Sequence, residues 1–216
     1  VPVDDPSGPV SDNLFENDSD PESDPLTVSV IGGNTPVSGP TAVTLPSGAV
    51  VTVDPGGGFT YDPNDQFESL PEGVTAQETI EYLIADGEGG TDVATITVTL
   101  TGTNDAPDAQ NDSEMTSPAE SVSSSMFPND SDPEGDALTV TEVGLGSLGS
   151  TTTLPSGSVF ILNSDGTYEY TPSPDYESLP HGAFVEDMFE YPLSDGNGGT
   201  DVATVTSTVH ANNTDP

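Results

Sequence analysis

The chain repeats itself, and the period sets the size of what it can build. Leu45-Pro46-Ser47-Gly48 returns 109 residues later as Leu154-Pro155-Ser156-Gly157. FESLP at Phe67–Pro71 returns as YESLP at Tyr176–Pro180, and ADGEGGTDVAT at Ala85–Thr95 returns as SDGNGGTDVAT at Ser194–Thr204, both at that same offset. NDSDP at Asn17–Pro21 returns at Asn129–Pro133, 112 residues on, so the second copy opens with a slightly longer segment. The first copy leaves through Asn104-Asp105-Ala106-Pro107, and Asp112 follows five residues after the proline. The second leaves through Asn213-Thr214-Asp215-Pro216, and Asp5 would hold the same spacing if Val1 came next. The expectation is two modules, 1–104 and 105–216, cut at a linker from an array that continues at both ends. Repetition of this kind points to an array or fibre before an enzyme. At about 108 residues, each module is large enough for its own core.

Charge excludes several functions. The chain has 38 acidic residues and no Lys or Arg, where roughly twenty-five basic residues would be ordinary. Phosphate backbones and anionic membrane surfaces repel such a chain, so neither nucleic acid nor membrane insertion is expected. A Schiff-base lysine, a P-loop, an arginine clamp and a Lys–Asn isopeptide staple are all impossible. With no Cys there is no disulfide or thiolate metal site. No apolar run approaches the ~18 residues of a membrane span. No signal peptide is present and the first residue is Val1, which reads as a mature fragment.

The patterning is that of strands. Ala94, Ile96, Val98 and Leu100 alternate with Thr95, Thr97 and Thr99, and Ala203, Val205 and Val209 alternate with Thr204, Thr206 and Thr208. Period two gives one apolar and one threonine face. Ile80, Tyr82 and Ile84 repeat the pattern, matched by Phe189, Tyr191 and Leu193. Leu26, Val28 and Val30 predict a further strand. Hairpins are expected around Asp54–Gly58 and Asn163–Gly166, and helical turns only near Asn64–Leu70 and Pro174–Leu179. Pro192, inside a strand pattern, predicts an edge. The fold class is all-β: two tandem antiparallel β-sandwich modules of about seven strands each. The matched aromatics Phe59, Tyr61, Phe67 and Tyr82, with Tyr168, Tyr170, Tyr176 and Tyr191, are assigned to the cores.

The acids fall in turns and linkers. Asp18, Asp20, Glu22 and Asp24 form one cluster, repeated as Asp130, Asp132, Glu134 and Asp136. The linker Asn104–Asp112 is a second kind, and DGEGGTD (Asp86–Asp92) with its repeat Asp195–Asp201 a third. Asp-Pro, Asp-Gly and Asn-Asp are also ordinary turn dipeptides. Three repeated clusters per module with no basic partner decide for Ca²⁺, which takes 6–8 oxygens from carboxylates, amides and carbonyls. The loops are not EF-hands, because the terminal bidentate Glu and the flanking helices are missing.

GTNDAP (Gly102–Pro107), NDSDPEGDALTV (Asn129–Val140), GTYEYTP (Gly166–Pro172) and DGNGGTDVATV (Asp195–Val205) resemble bacterial cadherin-like tandem repeats of large secreted adhesins and matrix proteins. The resemblance covers nearly the whole chain, twice. It implies an Ig-like or cadherin-like sandwich with Ca²⁺ at module ends and junctions. By that resemblance Asn104, Asp105, Asp112, Asp130, Asp132, Asp136 and Asp195 are ligands at the central junction, and Asp5, Asp18, Asp20, Asp24 and Asp86 at the start of the first module. One departure is Asn213-Thr214-Asp215-Pro216, where the acid comes one position later than Asp105 does in NDAP.

No catalytic constellation stands out, and an enzyme is not expected. His181 and His210 have no matched Ser and Asp partners. The function expected is a calcium-binding structural repeat of an extracellular fibre, filament or adhesin stalk, rigidified by Ca²⁺ at module junctions and in contact with copies of itself, head-to-tail or in a covalent array, with lateral Ca²⁺-mediated bundling as an option. The alternative is a cell-surface adhesion module that binds a glycan or a partner cell. Its site would lie where the repeats differ most, at 112–126 and 142–153.

Overall fold

The computed structural model describes residues 2–3, 9–33, 35–141 and 146–211. The chain forms two compact units, Val1–Thr103 and Asn104–Pro216. The first unit contains β1 (Pro2–Val3), β2 (Val10–Asn13), β3 (Thr27–Ile31), β4 (Thr35–Pro36), β5 (Thr41–Thr44), β6 (Val50–Val53), β7 (Gly58–Asp62), β8 (Thr75–Ala85) and β9 (Thr91–Thr101). They form two sheets, ordered β1-β9-β8-β3-β4 and β2-β7-β6-β5. The second unit contains β10 (Asp112–Thr116), β11 (Val122–Ser125), β12 (Thr139–Val140), β13 (Thr151–Thr153), β14 (Val159–Leu162), β15 (Thr167–Thr171), β16 (Phe184–Ser194) and β17 (Thr200–His210). Its sheets are β10-β17-β16-β12 and β11-β15-β14-β13. Each unit is a β-sandwich with its own core. In the first, Val51, Val53 and Tyr61 meet Val28, Ile80, Val98 and Leu100. In the second, the Phe160 and Phe189 rings stack across the sheets at 4.4 Å.

The alternating segments form the two long hairpins, β8–β9 and β16–β17, each with eleven residue pairs in register. The predicted turns are also present, with Gly57 and Gly166 in the left-handed region. Three features differ from expectation. First, β1 runs parallel to β9, and β10 parallel to β17. In the second unit the opening strand is split at Ser117–Glu120, where Pro118 cannot continue a ladder. Its first half stays on one sheet and its second half, β11, joins the other. That split and the two-residue strands take the counts above seven. Second, a bulge between Val28 and Val30 brings Ile31 rather than Val30 to the core. Third, Pro192 does not lie on an edge strand, because β16 runs between β17 and β12. The proline carbonyl accepts from Thr141 just past the end of β12, at 3.0 Å. In an antiparallel pair a residue's N–H and C=O point the same way. The missing donor therefore faces the end of the short strand and costs the β16–β17 ladder nothing. Of the two helical turns expected, Pro174–Ser178 forms a 3-10 helix, and another occurs at Leu14–Glu16.

The repeats differ in the polar groups their sandwiches enclose. In the first unit Tyr61 donates to Glu78 at 2.6 Å. The second has the shorter Asp187, only 6% exposed, which accepts from Tyr170 at 2.6 Å and from Tyr176 at 3.2 Å. Ser158 accepts from the Ser173 amide at 2.9 Å beside them. The first-unit counterparts of Tyr176 and Ser158 are Phe67 and Ala49, which have no hydroxyl. Burial pushes the Asp187 carboxyl up, but hydrogen bonds from Ser158, Tyr170, Ser156 and Tyr176 outweigh it and hold the group below the ordinary carboxylate range. Tyr170→Phe is therefore expected to cost the second unit about 1.5–3 kcal/mol, the range for a hydrogen bond to a charged group. The folded-state value is depressed, so this stabilisation is fully present above the unfolded value near 4 and lost as pH falls through the folded one. Calorimetry of wild type and variant checks both points; equal melting at neutral pH would refute the network's contribution.

Candidate metal centre

Three segments of the second unit converge on one acidic cluster. In the loop before β12, the Asp132 Oδ1 atom accepts from the amides of Glu134 (3.1 Å) and Asp136 (2.9 Å). Gly135, at φ +79, lets the chain turn between them. This curl gathers Asp132, Glu134 and Asp136, with carboxylate oxygens within 4.8 Å of one another. In the β16–β17 loop, Asp195 Oδ1 accepts from the amides of Asn197, Gly198 and Gly199 at 2.7, 3.0 and 3.0 Å. The segment leading into β10 lies across both loops. The Asn104 side chain donates to Asp195 Oδ2 at 2.7 Å, and the Asp105 amide donates to Glu134 Oε2 at 3.3 Å. Gly199 must be glycine here, since a Cβ would stand 2.8 Å from Ala106 Cα and 2.9 Å from the Asp105 carbonyl. Asn197 ties the loops together through Asp136 Oδ2 at 2.7 Å.

The cluster lacks positive charge. Asp132 Oδ2 and Glu134 Oε1 are buried with no hydrogen-bond partner among the described residues, a costly state for carboxylate oxygens. Burial, with the nearby Asp105 and Asp132 charges, pushes the Glu134 carboxyl up despite its amide donors. Asp195 goes the other way: burial raises it, but Asn104 and three backbone amides outweigh that and leave it below its ordinary range. A hard divalent cation suits this all-oxygen donor set, and the two orphaned oxygens are where it would compensate charge.

A second cluster surrounds Tyr191. Its hydroxyl lies 3.1 Å from Asp112 Oδ2, 3.1 Å from Asp130 Oδ2 and 3.2 Å from the Gln110 carbonyl. One O–H can donate to only one of them. Burial pushes the Asp112 and Asp130 carboxyls up, and Asp130 and Glu114 beside the first, and Asp108 and Asp201 beside the second, add to the rise. Asp201 Oδ2 accepts from the Ala109 amide at 2.9 Å, fixing the incoming segment.

The first unit builds the same loops. Asp20 Oδ1 accepts from the amides of Glu22 and Asp24 at 2.8 and 3.0 Å, and Asp86 Oδ1 from Glu88, Gly89 and Gly90 at 2.8–2.9 Å. Tyr82 donates to Asp18 at 2.9 Å. Among the described residues Asp20, Glu22 and Asp24 form no trio as close as that in the second unit. Asp5 lies outside the described residues. Of the residues singled out in sequence, Asn104, Asp105, Asp132, Asp136 and Asp195 meet in one cluster and Asp112 and Asp130 in its neighbour. Glu134 lies outside the ligand set that the resemblance implies, yet it joins the cluster, and its alternation with Asp132 and Asp136 marks it. The Tyr191 ring lies in the core as expected; nothing in the sequence marks its hydroxyl as the centre of the second cluster.

Residues 3–102 and 104–211 each match the bacterial cadherin-like domain family. The calcium-binding lectin RapA2 of Rhizobium johnstonii is 27% identical over 208 residues, covering 91% of this chain and 88% of that protein. Among solved structures, human mucin-like protocadherin EC1-2 aligns with 97% of this chain and 94% of its own, at a TM-score of 0.46 and 17% identity. Drosophila N-cadherin EC1-4 aligns with 89% of this chain and 42% of its own, at 0.41 and 13%.

In calcium-free buffer the second unit is expected to grow more stable as pH falls from neutral toward the ordinary carboxylate range. Folded Asp112, Asp130 and Glu134 take up protons at higher pH than in the unfolded chain, where carboxyls titrate near 4. Further acidification reverses the trend as Asp187 and Asp195 lose the charge that their donors hold. Melting temperature against pH tests this; a monotonic loss of stability from neutral pH downward would contradict it.

Proposed function

The chain belongs to the bacterial cadherin-like domain family, and from that premise we propose that it is a calcium-binding structural repeat of an extracellular fibre or adhesin stalk. The observation that carries this reading is the pair of buried, unpartnered oxygens on Asp132 and Glu134, in a chain with no Lys or Arg to neutralise them. Asp132, Glu134 and Asp136, with Asn104, Asp105 and Asp195, would hold one ion, and Asp112, Asp130 and Asp201 a neighbouring one. Bound Ca²⁺ supplies the missing positive charge. Asn104 and Asp105 belong to the segment that joins the repeats, so an ion they share with the second unit's loops ties that segment down. The result is mechanical: a connection that would flex becomes part of the sandwich it enters. Exposed acidic faces leave room for lateral bridging by further cations.

A second reading, a calcium-dependent glycan-binding module, is favoured by the relative named a calcium-binding lectin. The two readings separate on a glycan array at millimolar Ca²⁺, where saturable binding places recognition ahead of scaffolding.

The calcium reading predicts a higher melting temperature for the second unit in Ca²⁺ than in chelator. At a concentration 100-fold above Kd a single site adds about 2.7 kcal/mol. Glu134→Gln keeps the shape but removes charge, and is expected to weaken Ca²⁺ binding at least about tenfold, or 1.4 kcal/mol. Isothermal titration and calorimetry check both, and melting that ignores Ca²⁺ would sink the reading.

A further inference from the structure

The outer face of the β10-β17-β16 sheet carries apolar side chains that the matching face of the first unit lacks. Along β16 the residues that alternate with the buried Asp187, Phe189, Tyr191 and Leu193 point outward, and along β17 those that alternate with Ala203, Val205, Ser207 and Val209. Six large hydrophobic side chains are exposed among the described residues, and four of them, Met115, Phe184, Met188 and Val202, stand on this one face. Met115 is 75% exposed, Met188 59% and Phe184 58%. The register brings these three together. Met115 lies opposite Thr208 and Met188 opposite Thr206, so the two thioethers flank the threonine row of β17 from either side. Phe184 lies opposite His210, with the ring centroids 5.7 Å apart.

The first unit shows the same sheet without this patch. Its β9 has the same outward row, Thr95, Thr97 and Thr99 for Thr204, Thr206 and Thr208. Its β8 differs: Phe184 and Met188 replace Thr75 and Thr79, and Glu186 replaces Gln77. The sheet is thus built without the ring or the thioether, and an exposed Met gains nothing in a strand over a β-branched Thr. Exposed Met and aromatic residues are what interfaces enrich, and a group of them on one face marks a contact surface. The acids on the face say what it contacts. Exposed Glu186 and Glu190 alternate with Phe184 and Met188 along β16, in two-residue steps of about 7 Å. The 216 residues contain no Lys or Arg to meet them. A second copy of the chain would set further carboxylates against these two. A bare cation would answer the acids and leave the apolar groups in water. The complement of an apolar and acidic alternation is an apolar and basic one.

We propose that this face docks a basic, amphipathic segment of another protein, with its apolar side chains on Met115, Phe184 and Met188 and its Lys or Arg side chains on Glu186 and Glu190. The proposal stands apart from the calcium reading, because the acidic loops lie at the Ser194 end of β16 and Phe184 at the other. Methionine-methyl NMR of the full chain tests it. Met115 and Met188 report on the face, and the fully buried Met126 is the internal reference. The probe is a synthetic amphipathic Leu/Lys peptide, with a peptide of equal charge carrying Ser for Leu as its control, at about 0.15 M salt, where the Debye length is about 8 Å. The Leu/Lys peptide is expected to shift the Met115 and Met188 signals saturably, to leave Met126 in place, and to bind at least about tenfold more tightly than the Ser/Lys peptide, the least that burying one large apolar side chain returns. Phe184→Thr with Met188→Thr installs the first unit's residues at exposed positions, and is expected to remove that advantage with the melting temperature unchanged. Glu186→Gln with Glu190→Gln is expected to weaken binding of both peptides. Equal affinity for the two peptides, or Met115 and Met188 signals that do not move, overturns the proposal. So does Leu/Lys binding that survives the threonine variant. Methyl signals that shift with protein concentration alone, with the mass doubling in sedimentation, would assign the face to a second copy and overturn the basic partner.

Discussion

A carboxylate in this chain has no Lys or Arg to turn to, so the structure depends on what else can face a negative oxygen. The loops answer with backbone amides and divide the work between the two oxygens of each acid. Asp132 Oδ1 takes two amides and thereby bends the loop, while Asp132 Oδ2 takes none. Asp195 Oδ1 takes three, leaving Oδ2 for the Gly199 amide and the Asn104 side chain. One oxygen folds the loop and the other faces its neighbours. Where side-chain and backbone donors suffice, as at Asp195, the acid stays ionised against the pull of burial. Where they run out, as at Glu134, burial and like charge dominate and the carboxyl rises. The same turn chemistry that closes the loops therefore creates the electrostatic deficit that a cation would fill.

The sandwich sets where those loops meet. Ser194 pairs with Thr200 at the end of the β16–β17 hairpin and with Thr139 of β12 on its other side. Those two pairs bring the Asp132–Asp136 loop, which leads into β12, beside Asp195, which leaves β16. A one-residue slip of either ladder would turn the core face of β16 to solvent, so register is held by Phe189, Tyr191 and Leu193, each at most 2% exposed. The aromatic core and the acidic cluster are two ends of one constraint, and Tyr191 belongs to both, its ring in the core and its hydroxyl between Asp112 and Asp130.

Much of this was legible in the sequence because repetition allowed each pattern to be read twice. Period two located the strands of the long hairpins, and Asp54–Gly58 and Asn163–Gly166 located the turns of the shorter β6–β7 and β14–β15 hairpins. What escaped depends on neighbours that sequence spacing does not report. The parallel pairing of β10 with β17 follows from a strand that changes sheets at Pro118, and one-dimensional alternation carries no record of which sheet a strand joins. The bulge in β3 hid behind an unbroken Leu26, Val28, Val30 alternation. Glu134 was visible as an acid but not as one with a buried oxygen, since burial arises only when the Asn104–Ala106 segment covers it. Ser207 is another case: it interrupts the apolar face of β17 at a fully buried position, and it is tolerated because Glu114, across on β10, accepts its hydroxyl at 2.7 Å and that of Tyr168 at 2.8 Å.

The comparison of the two repeats bears on how stability is divided between core and ions. The second unit encloses Asp187, Glu114 and Ser207 among hydroxyls, where the first has Glu78 and, at the positions that match Tyr176, Ser158, Tyr168 and Ser207, the apolar Phe67, Ala49, Phe59 and Val98. Each polar group is matched, so neither unit is penalised outright, but a matched polar group returns less than the burial of an apolar one of the same size. With an apolar fraction of 31% the cores have little surplus. On the proposed reading, each Ca²⁺ held at ten- to a hundredfold its Kd adds about 1.4–2.7 kcal/mol, a sizeable share of the ~5–15 kcal/mol that separates folded from unfolded domains. On that same reading the sandwich is conditional: its core is thin enough, and its ends charged enough, that ambient calcium would decide how stiff it is.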